Sequence, residues 1–415
     1  EALQTEALRR TVQRAYRHVP FYRRELDARR VKPLQIRSLA DVQRLPFTTN
    51  ADLRAGYPDR LLAVPRAGGV VRLHTSSGTT GKPKALFFSR ADIERASELM
   101  ARCLVMTGLT RRDVLQNMMT YGLFTGALMM HYGAERVGAL VIPSGPGNSE
   151  RQLLLMRDFG ATAFHTTPSY ALYLAEFMRQ RGVNPRRLAL RRAYIGSEPY
   201  TEETRDKIEA AFGIRVFNSY GLSEMSGPGV AFECECRSGL HLWEDHFILE
   251  IVNPDTGQPV PDGEPGELIL TTLQREAMPI LRYRTRDITA VIPGPCACGR
   301  THRRLRRILG RSDDMLIVRG VNFYPQQVER VLMQQPEVGG NYQILLDGLD
   351  NLTVKVELAA GRFDGQVENV VALQRRLAER LRAEVAIRPA VEICPAGALP
   401  VSEGKAKRVL DSRKL

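Results

Sequence analysis

The sequence has no apolar run near the roughly 18 residues that a bilayer-crossing helix requires, so a transmembrane helix is not expected. Cysteine is sparse, with six in 415 residues, too few for a disulfide scaffold. The opening Glu1-Ala2-Leu3-Gln4 lacks the basic-then-apolar pattern of a secretory signal, so a reducing cytoplasm is the expected compartment. The 34 glycines and 24 prolines follow no period, which excludes collagen-like and low-complexity chains. Acidic residues are in deficit, 46 against 59 basic ones, for a net charge of +13. Such an excess favours polyanions, among them nucleotides and coenzyme phosphates. The basic residues are spread out, with short runs such as Arg303, Arg304, Arg306 and Arg307. No recognition module or aromatic–basic interleaving accompanies them, so nucleic acid is not an expected partner. Nor is a membrane.

What is present is ordinary globular composition, 43% hydrophobic and 25% charged, at a length that predicts roughly two to four domains. Leu3, Leu8, Val12 and Tyr16 recur at helical spacing before Pro20 and an aromatic, basic stretch. From about 69 to 220, β-rich runs (Gly69–Leu73, Ala139–Pro143, Ala161–Thr166, Ala193–Gly196) alternate with helical patterns. These patterns fall at Ala91–Met106, Ala127–Val137, Glu150–Phe159, Ser169–Gln180 and Thr201–Phe212. The alternation predicts an α/β domain with a largely parallel sheet. After about 228, strands at Phe247–Val252, Gly266–Thr272 and Thr289–Ile292 are separated by turn signals, which reads as an appended β-rich subdomain. From about 312 a compact α+β unit follows: strand Met315–Arg319, helix Gln326–Met333, strands Asn341–Leu346 and Leu352–Leu358, helix Gln366–Glu384 and strand Ala390–Cys394.

The most informative segment is His74-Thr75-Ser76-Ser77-Gly78-Thr79-Thr80-Gly81-Lys82-Pro83-Lys84. Glycines let backbone N–H groups turn toward an anion, hydroxyls add donors, and lysine adds charge. A Walker loop is excluded, because Ser76 and Pro83 stand where that pattern needs Gly and Ser or Thr. A polar hairpin is the plain alternative, but the density of donors favours a triphosphate-binding loop.

Ser76-Ser77-Gly78-Thr79-Thr80-Gly81-Lys82-Pro83 resembles the signature loop of the adenylate-forming superfamily, which includes acyl- and aryl-CoA ligases, adenylation domains and luciferases. Within it the chain most resembles phenylacetate-CoA ligases, nearly end to end. Val19–Arg24, Leu45–Thr49, Tyr121–Gly126, His131–Arg136, Trp243–His246 and Gly310–Met315 all match that family's wording. The resemblance implies a large N-terminal AMP-binding domain, 1–311, whose β-rich subdomain covers about 228–305, and a small mobile α+β lid domain, 312–415. It implies an ATP- and magnesium-dependent aryl-CoA ligase. A carboxylate attacks the α-phosphate to give acyl-adenylate and pyrophosphate, and the thiol of coenzyme A then displaces AMP. Both steps build negative charge, so the site must supply positive charge and oriented donors. Two rival readings are an enzyme that loads the acid onto a carrier-protein thiol and a non-catalytic nucleotide-binding homologue.

The family's roles carry over by position. Asn218–Glu224 resembles the second core motif: Ser219 and Gly221 border the nucleotide, Tyr220 lies against adenine, Ser223 donates to phosphate, and Glu224 holds magnesium. Gly196-Ser197-Glu198-Pro199 borders adenine and the acyl pocket. Asp287, in Tyr283–Asp287, accepts from the ribose hydroxyls; taken alone it reads as a salt-bridge partner of Arg284 or Arg286. Arg311 adds charge near the nucleotide, Asp313 stands at the hinge, and Gly320 lines the route for coenzyme A. Lys405, in Leu399–Lys405, bridges the substrate carboxylate and the α-phosphate. Tyr121, Phe124, Gly196 and Ser197 line the acid pocket, where aromatic walls suit an aryl group. Met119 stands where phenylacetate ligases carry Tyr, and Ser197 where they carry Ala, so a benzoate such as aminobenzoate or hydroxybenzoate competes with phenylacetate. Cys234, His241, Cys296 and Cys298 supply the donors of a closed structural zinc site. Cys236, His246 and His302 are alternative ligands, and free buried thiols are the plain alternative. A homodimer follows from the resemblance alone.

Overall fold

A computed structural model describes residues 1–75, 83–348, 351–362, 366–400 and 406–414. The loop residues Ser76, Ser77, Gly78, Thr79, Thr80, Gly81 and Lys82 lie outside the described residues, as does Lys405 with 401–404. The chain is mixed α/β and forms two compact units. One comprises 1–113, 120–141 and 217–307; the other comprises 114–119, 142–216 and 308–415. No described helix is long and apolar enough to cross a membrane.

In the first unit, helix Ala2–His18 buries Leu8, Val12 and Ala15 on one face; Leu8 and Val12 are from the expected stripe, whereas Leu3 is exposed at the helix start and Tyr16 is only partly buried. The basic stretch after it is a second helix, Pro20–Ala28, with Pro20 at its first position, where a missing N–H costs nothing. Strands Arg72–Thr75 and Ala85–Phe88 pair antiparallel, so the phosphate-loop sequence joins the arms of a hairpin. Helix Arg90–Met106 starts on a capping box, Ser89 with Asp92. Helix Thr125–Val137 ends at Gly138 in the left-handed region. Strands Phe247–Val252, Gly266–Thr272 and Tyr283–Thr289 form an antiparallel ladder. Strand Gly227–Glu233 pairs with Leu240–Leu242, which pairs with Arg304–Leu305, which pairs with Val291–Ile292, all antiparallel. The single strand expected over Thr289–Ile292 is instead the last residue of strand Tyr283–Thr289 followed, after Ala290, by strand Val291–Ile292.

In the second unit, strands Val114–Asn117, Ala163–Thr166 and Arg192–Ile195 are parallel neighbours. The two inner ones are fully or largely buried, as a parallel sheet with covered faces requires. Val114–Asn117 is too short and too polar at its end to stand out by periodicity. Helices Pro168–Gln180 and Glu202–Phe212 pack Tyr170, Leu174, Met178, Ile208 and Phe212 into one apolar core with Phe164 and Ala193. The remainder of this unit is a four-stranded sheet, ordered Ala390–Cys394, Leu352–Leu358, Val338–Leu346 and Val409–Asp411. Helices Pro325–Met333 and Val367–Val385 cover it around Val328, Leu332, Leu377 and Leu381. Its hairpin Leu316–Val318/Val321–Phe323 turns on Arg319 and Gly320, both at positive φ, the backbone that a two-residue turn between twisted strands needs.

Candidate functional site

The first unit gathers its polar groups around the phosphate-loop hairpin. Thr75, the last described residue before the loop, donates its N–H to Leu123 O at 3.0 Å. His74 Nδ1 lies 3.1 Å from the same carbonyl, which fixes the proton on that nitrogen. Burial holds the His74 pKa below its ordinary value, so the ring is neutral. Segment 121–125 is thus tied to the mouth of the loop by main-chain bonding.

Glu224 sits on the single turn Ser223–Met225 that ends the strand Arg215–Leu222. The turn is tight: a Cβ at Gly221 would lie 1.9 Å from Gly227 O, so only glycine fits there. The Glu224 carboxylate is 6% exposed and accepts from Lys84 Nζ. Lys84 also donates to Asn50 Oδ1 at 2.7 Å, and the Tyr283 hydroxyl lies 2.9 Å from both Glu224 Oε1 and Asn50 Oδ1. The Arg275 guanidinium donates to Glu224 O and, at 3.1 Å, to Phe87 O. Burial pushes the Glu224 carboxyl up, but the Lys84 ammonium and the hydrogen bonds from Lys84 and Tyr283 outweigh it and hold the group below the usual carboxylate range. Ser223 Oγ lies 3.0 Å from Thr125 Oγ1. An ionised carboxylate held by Lys84, two residues after the sequence 76–82, has the chemistry by which proteins hold magnesium, with one or two carboxylates and the remaining ligands from phosphate and water.

Tyr220 OH donates to Asp287 Oδ2. Arg284 and Arg286 both turn to Glu267 instead, so the salt bridge that composition alone offers Asp287 goes elsewhere. Tyr121 OH and His131 Nδ1 are 3.1 Å apart, His131 Nε2 meets Glu135 Oε1 at 3.0 Å, and Phe124 is 42% exposed.

The second unit holds the remaining expected residues. Ser197 follows Gly196 with φ +68°, a left-handed backbone that re-aims the chain after strand Arg192–Ile195. Glu198 accepts the Ser169 hydroxyl at 2.9 Å, the Ser169 N–H at 3.3 Å and the Ala406 N–H. Arg311 forms a two-pronged pair with Asp313, 2.9 Å on each arm. Met119, Gly196 and Ser197 belong to this unit, Tyr121 and Phe124 to the first.

The cysteine cluster is compact. Donor atoms of Cys234, His241, Cys296 and Cys298 all lie within 4.8 Å of one another. Cys234 Sγ is 3.7 Å from Cys296 Sγ, and Cys298 Sγ is 3.5 Å from His241 Nε2. Tetrahedral zinc with Zn–S near 2.3 Å and Zn–N near 2.0–2.1 Å requires separations of about 3.8 and 3.6 Å, so the donor set fits zinc. Cys236 is exposed, His302 lies against Glu244, and His246 lies against Asp245; none of the three joins the group. Burial lowers the His241 pKa, which favours the neutral imidazole that a metal needs. Arg304 fastens the two loops, donating to Ser238 O and Oγ and to the carbonyls of Gly294 and Pro295.

Sequence reading alone did not assign Lys84, Asn50, Tyr283 or Arg275 to the site. Lys84 and Tyr283 stand inside the motifs quoted for Lys82 and Asp287, so their signal was there to use. Asn50 and Arg275 are isolated in sequence and carried none.

The chain matches two family models, AMP-binding enzyme over residues 23–274 and AMP-binding enzyme C-terminal domain over 320–413. It is 48% identical over 430 residues to the phenylacetate-coenzyme A ligase of Thermus thermophilus, covering 100% of this chain and 96% of that protein. It is 46% identical over 420 residues to the phenylacetate-coenzyme A ligase of Escherichia coli K12, covering 100% and 95%. Among solved structures, it resembles 2-hydroxyisobutyryl-CoA ligase in the postadenylation state in complex with 2-HIB-AMP. The TM-score is 0.94 at 30% identity, over 99% of this chain and 89% of that one. The chain belongs to the AMP-binding, adenylate-forming enzyme family, alongside its phenylacetate-coenzyme A ligases.

Proposed function

We propose that this protein is an ATP-dependent aryl-CoA ligase acting through an acyl-adenylate. The observation that carries the reading is its similarity, along its whole length, to phenylacetate-coenzyme A ligases. In the first step the acid's carboxylate oxygen bonds to the α-phosphorus of ATP and pyrophosphate leaves. In the second the thiol of coenzyme A, losing its proton, bonds to the acyl carbon and AMP leaves. Ser76–Lys82 supply donors and charge to the phosphates, and Ser223, held by Thr125, adds a hydroxyl. Glu224 would hold magnesium, which when bound neutralises phosphate charge. Lys84 keeps Glu224 ionised and fixes its direction before nucleotide arrives. Tyr220 with Ser219 and Gly221 receives adenine, and Asp287 accepts the ribose hydroxyls. Lys405 places its ammonium between carboxylate and α-phosphate.

The acid is phenylacetate or a hydroxy- or aminobenzoate, received by Met119, Tyr121, Phe124, Gly196 and Ser197. Domain 312–415 turns about Asp313 between steps and admits coenzyme A past Gly320, with Arg311 at the junction. Cys234, His241, Cys296 and Cys298 would hold a structural zinc, which takes no part in the chemistry. Homodimer assembly and residence in the cytoplasm rest on the resemblance and on the sparse cysteines.

Incubation with ATP, magnesium, coenzyme A and a panel of aryl acids tests the reading. A CoA thioester supports it. Pyrophosphate release with no thioester indicates a carrier-protein acceptor, and nucleotide binding with no pyrophosphate indicates a non-catalytic protein.

A further inference from the structure

In the second unit, two helices are tied by a charged side chain from each. Helix Glu202–Phe212 opens on Thr201, and the first N–H groups of any helix lack internal partners and carry partial positive charge. Glu329, on helix Pro325–Met333, reaches that end: Oε1 accepts the Thr201 N–H at 3.2 Å and the Thr204 hydroxyl. Its other oxygen accepts the Tyr342 hydroxyl at 3.0 Å, so a buried carboxylate is fully engaged. In return, Lys207 of helix Glu202–Phe212 reaches the turn that follows Pro325–Met333. Its Nζ donates to Gln335 O at 3.1 Å and Val338 O at 2.8 Å. Glu329 thus complements the N-terminus of helix Glu202–Phe212, and Lys207 ties that helix to the turn and strand that follow Pro325–Met333. Burial lowers Lys207 to about 8 and raises Glu329 above its ordinary value, in spite of the hydrogen bonds the carboxylate accepts.

The same stretch of chain is fastened at two further places. A Cβ at Gly340 would lie 2.7 Å from Leu172 Cβ, so the backbone of strand Val338–Leu346 presses directly on helix Pro168–Gln180. Glu198, three residues before Thr201, accepts the N–H of Ala406, the residue that follows Lys405 in sequence. The segment 198–207 therefore anchors both helix Pro325–Met333 and the chain immediately after Lys405.

We propose that Glu329 and Lys207 are positioning residues for the adenylation step: they fasten residues 325–346 onto helices Pro168–Gln180 and Glu202–Phe212 and so present the tail that carries Lys405. The inference rests on the two-step reaction and the role of Lys405 given above. The second step needs a thiol at the acyl carbon and does not use that ammonium, so the fastening is dispensable for it.

The test compares two half-reactions in the full chain. Lys207→Met keeps the stem and removes the charge; Glu329→Leu removes the carboxylate. Phenylacetate-dependent exchange of pyrophosphate into ATP reports the first step, and thioester formation from synthetic phenylacetyl-adenylate and coenzyme A reports the second. Exchange is expected to fall about tenfold or more in both variants, with thioester formation within about twofold of the parent and Lys207→Arg recovering exchange. Equal loss in both steps at a lowered unfolding temperature would reduce the pair to packing and overturn the proposal, as would unchanged exchange. Where the panel above selects a benzoate, that acid and its adenylate replace phenylacetate in both assays; a parent protein inactive with every acid of the panel overturns the proposed function itself, and that is read before any variant is compared. Lys207 is only partly buried, so Lys207→Met is expected to keep the fold and carries the test should Glu329→Leu fail to fold.

Discussion

Glu224 is the residue on which the local electrostatics turn. A carboxylate this deeply buried is tolerated because Lys84, Tyr283 and the surrounding donors compensate its desolvation. Removing one member of a buried ion pair leaves the other uncompensated, at a cost of about 3–5 kcal/mol. Lys84→Met is therefore expected to lower the unfolding free energy by that order and to weaken ATP-dependent turnover; Lys84→Arg, unable to reproduce a point charge between Glu224 and Asn50, recovers little. Denaturant unfolding with parallel rate measurements checks both. The pH sign follows from the depressed Glu224 pKa. Its contribution is complete above the ordinary carboxylate value and is lost as pH falls through the lower folded value. As pH falls below about 4.5, the ordinary glutamate value, stability should fall more steeply in the parent than in Glu224→Gln. At the acid pocket, Met119→Tyr is expected to lower KM for phenylacetate relative to hydroxy- and aminobenzoates; a preference unmoved by that change would remove Met119 from the determinants of specificity. Residue identities in the motifs were legible because their chemistry is dense and local. Asn50, which orients Lys84 and Tyr283, and Arg275, which holds the Glu224 carbonyl, were not, because they come from far along the chain with no sequence pattern of their own.

At the scale of elements, the loop between strands Val291–Ile292 and Arg304–Leu305 has almost no apolar content to hold it. Four soft donors and the Arg304 clamp take the place of a core there. Metal analysis of the purified protein should find about one zinc per chain, and Cys296→Ser should lose it. Loss of the metal is expected to lower the unfolding temperature by several degrees at least, while the rate at 25 °C changes little, since none of the four donors reaches the nucleotide groups. Strands Phe247–Val252, Gly266–Thr272, Leu352–Leu358 and Ala390–Cys394 have the bounds that their apolar runs predict. Strands Val114–Asn117, Gly227–Glu233 and Leu240–Leu242 went unread. They carry polar, glycine or histidine positions whose burial is decided by neighbouring strands and not by local alternation.

At the scale of the molecule, the chain combines an antiparallel hairpin whose arms flank the glycine- and hydroxyl-rich sequence 76–82 with a C-terminal strand, Val409–Asp411, that follows Lys405 in sequence. The family was legible from sequence because several motifs occur in order along the chain, and no single one would have sufficed. The interleaving of the two compact units was not legible, since it depends on which strands neighbour one another across more than a hundred residues. The positive charge is accounted for in kind by ATP and coenzyme A, both polyanions. Lys405→Ala should abolish most acid-dependent pyrophosphate exchange while sparing conversion of supplied adenylate to thioester, and equal loss in both would contradict the role given to it. The most direct measurement follows product formation by the purified protein with ATP, magnesium, coenzyme A and an aryl acid. The account predicts CoA thioester, AMP and pyrophosphate in equal amounts; bound nucleotide with no pyrophosphate released for any acid would contradict it.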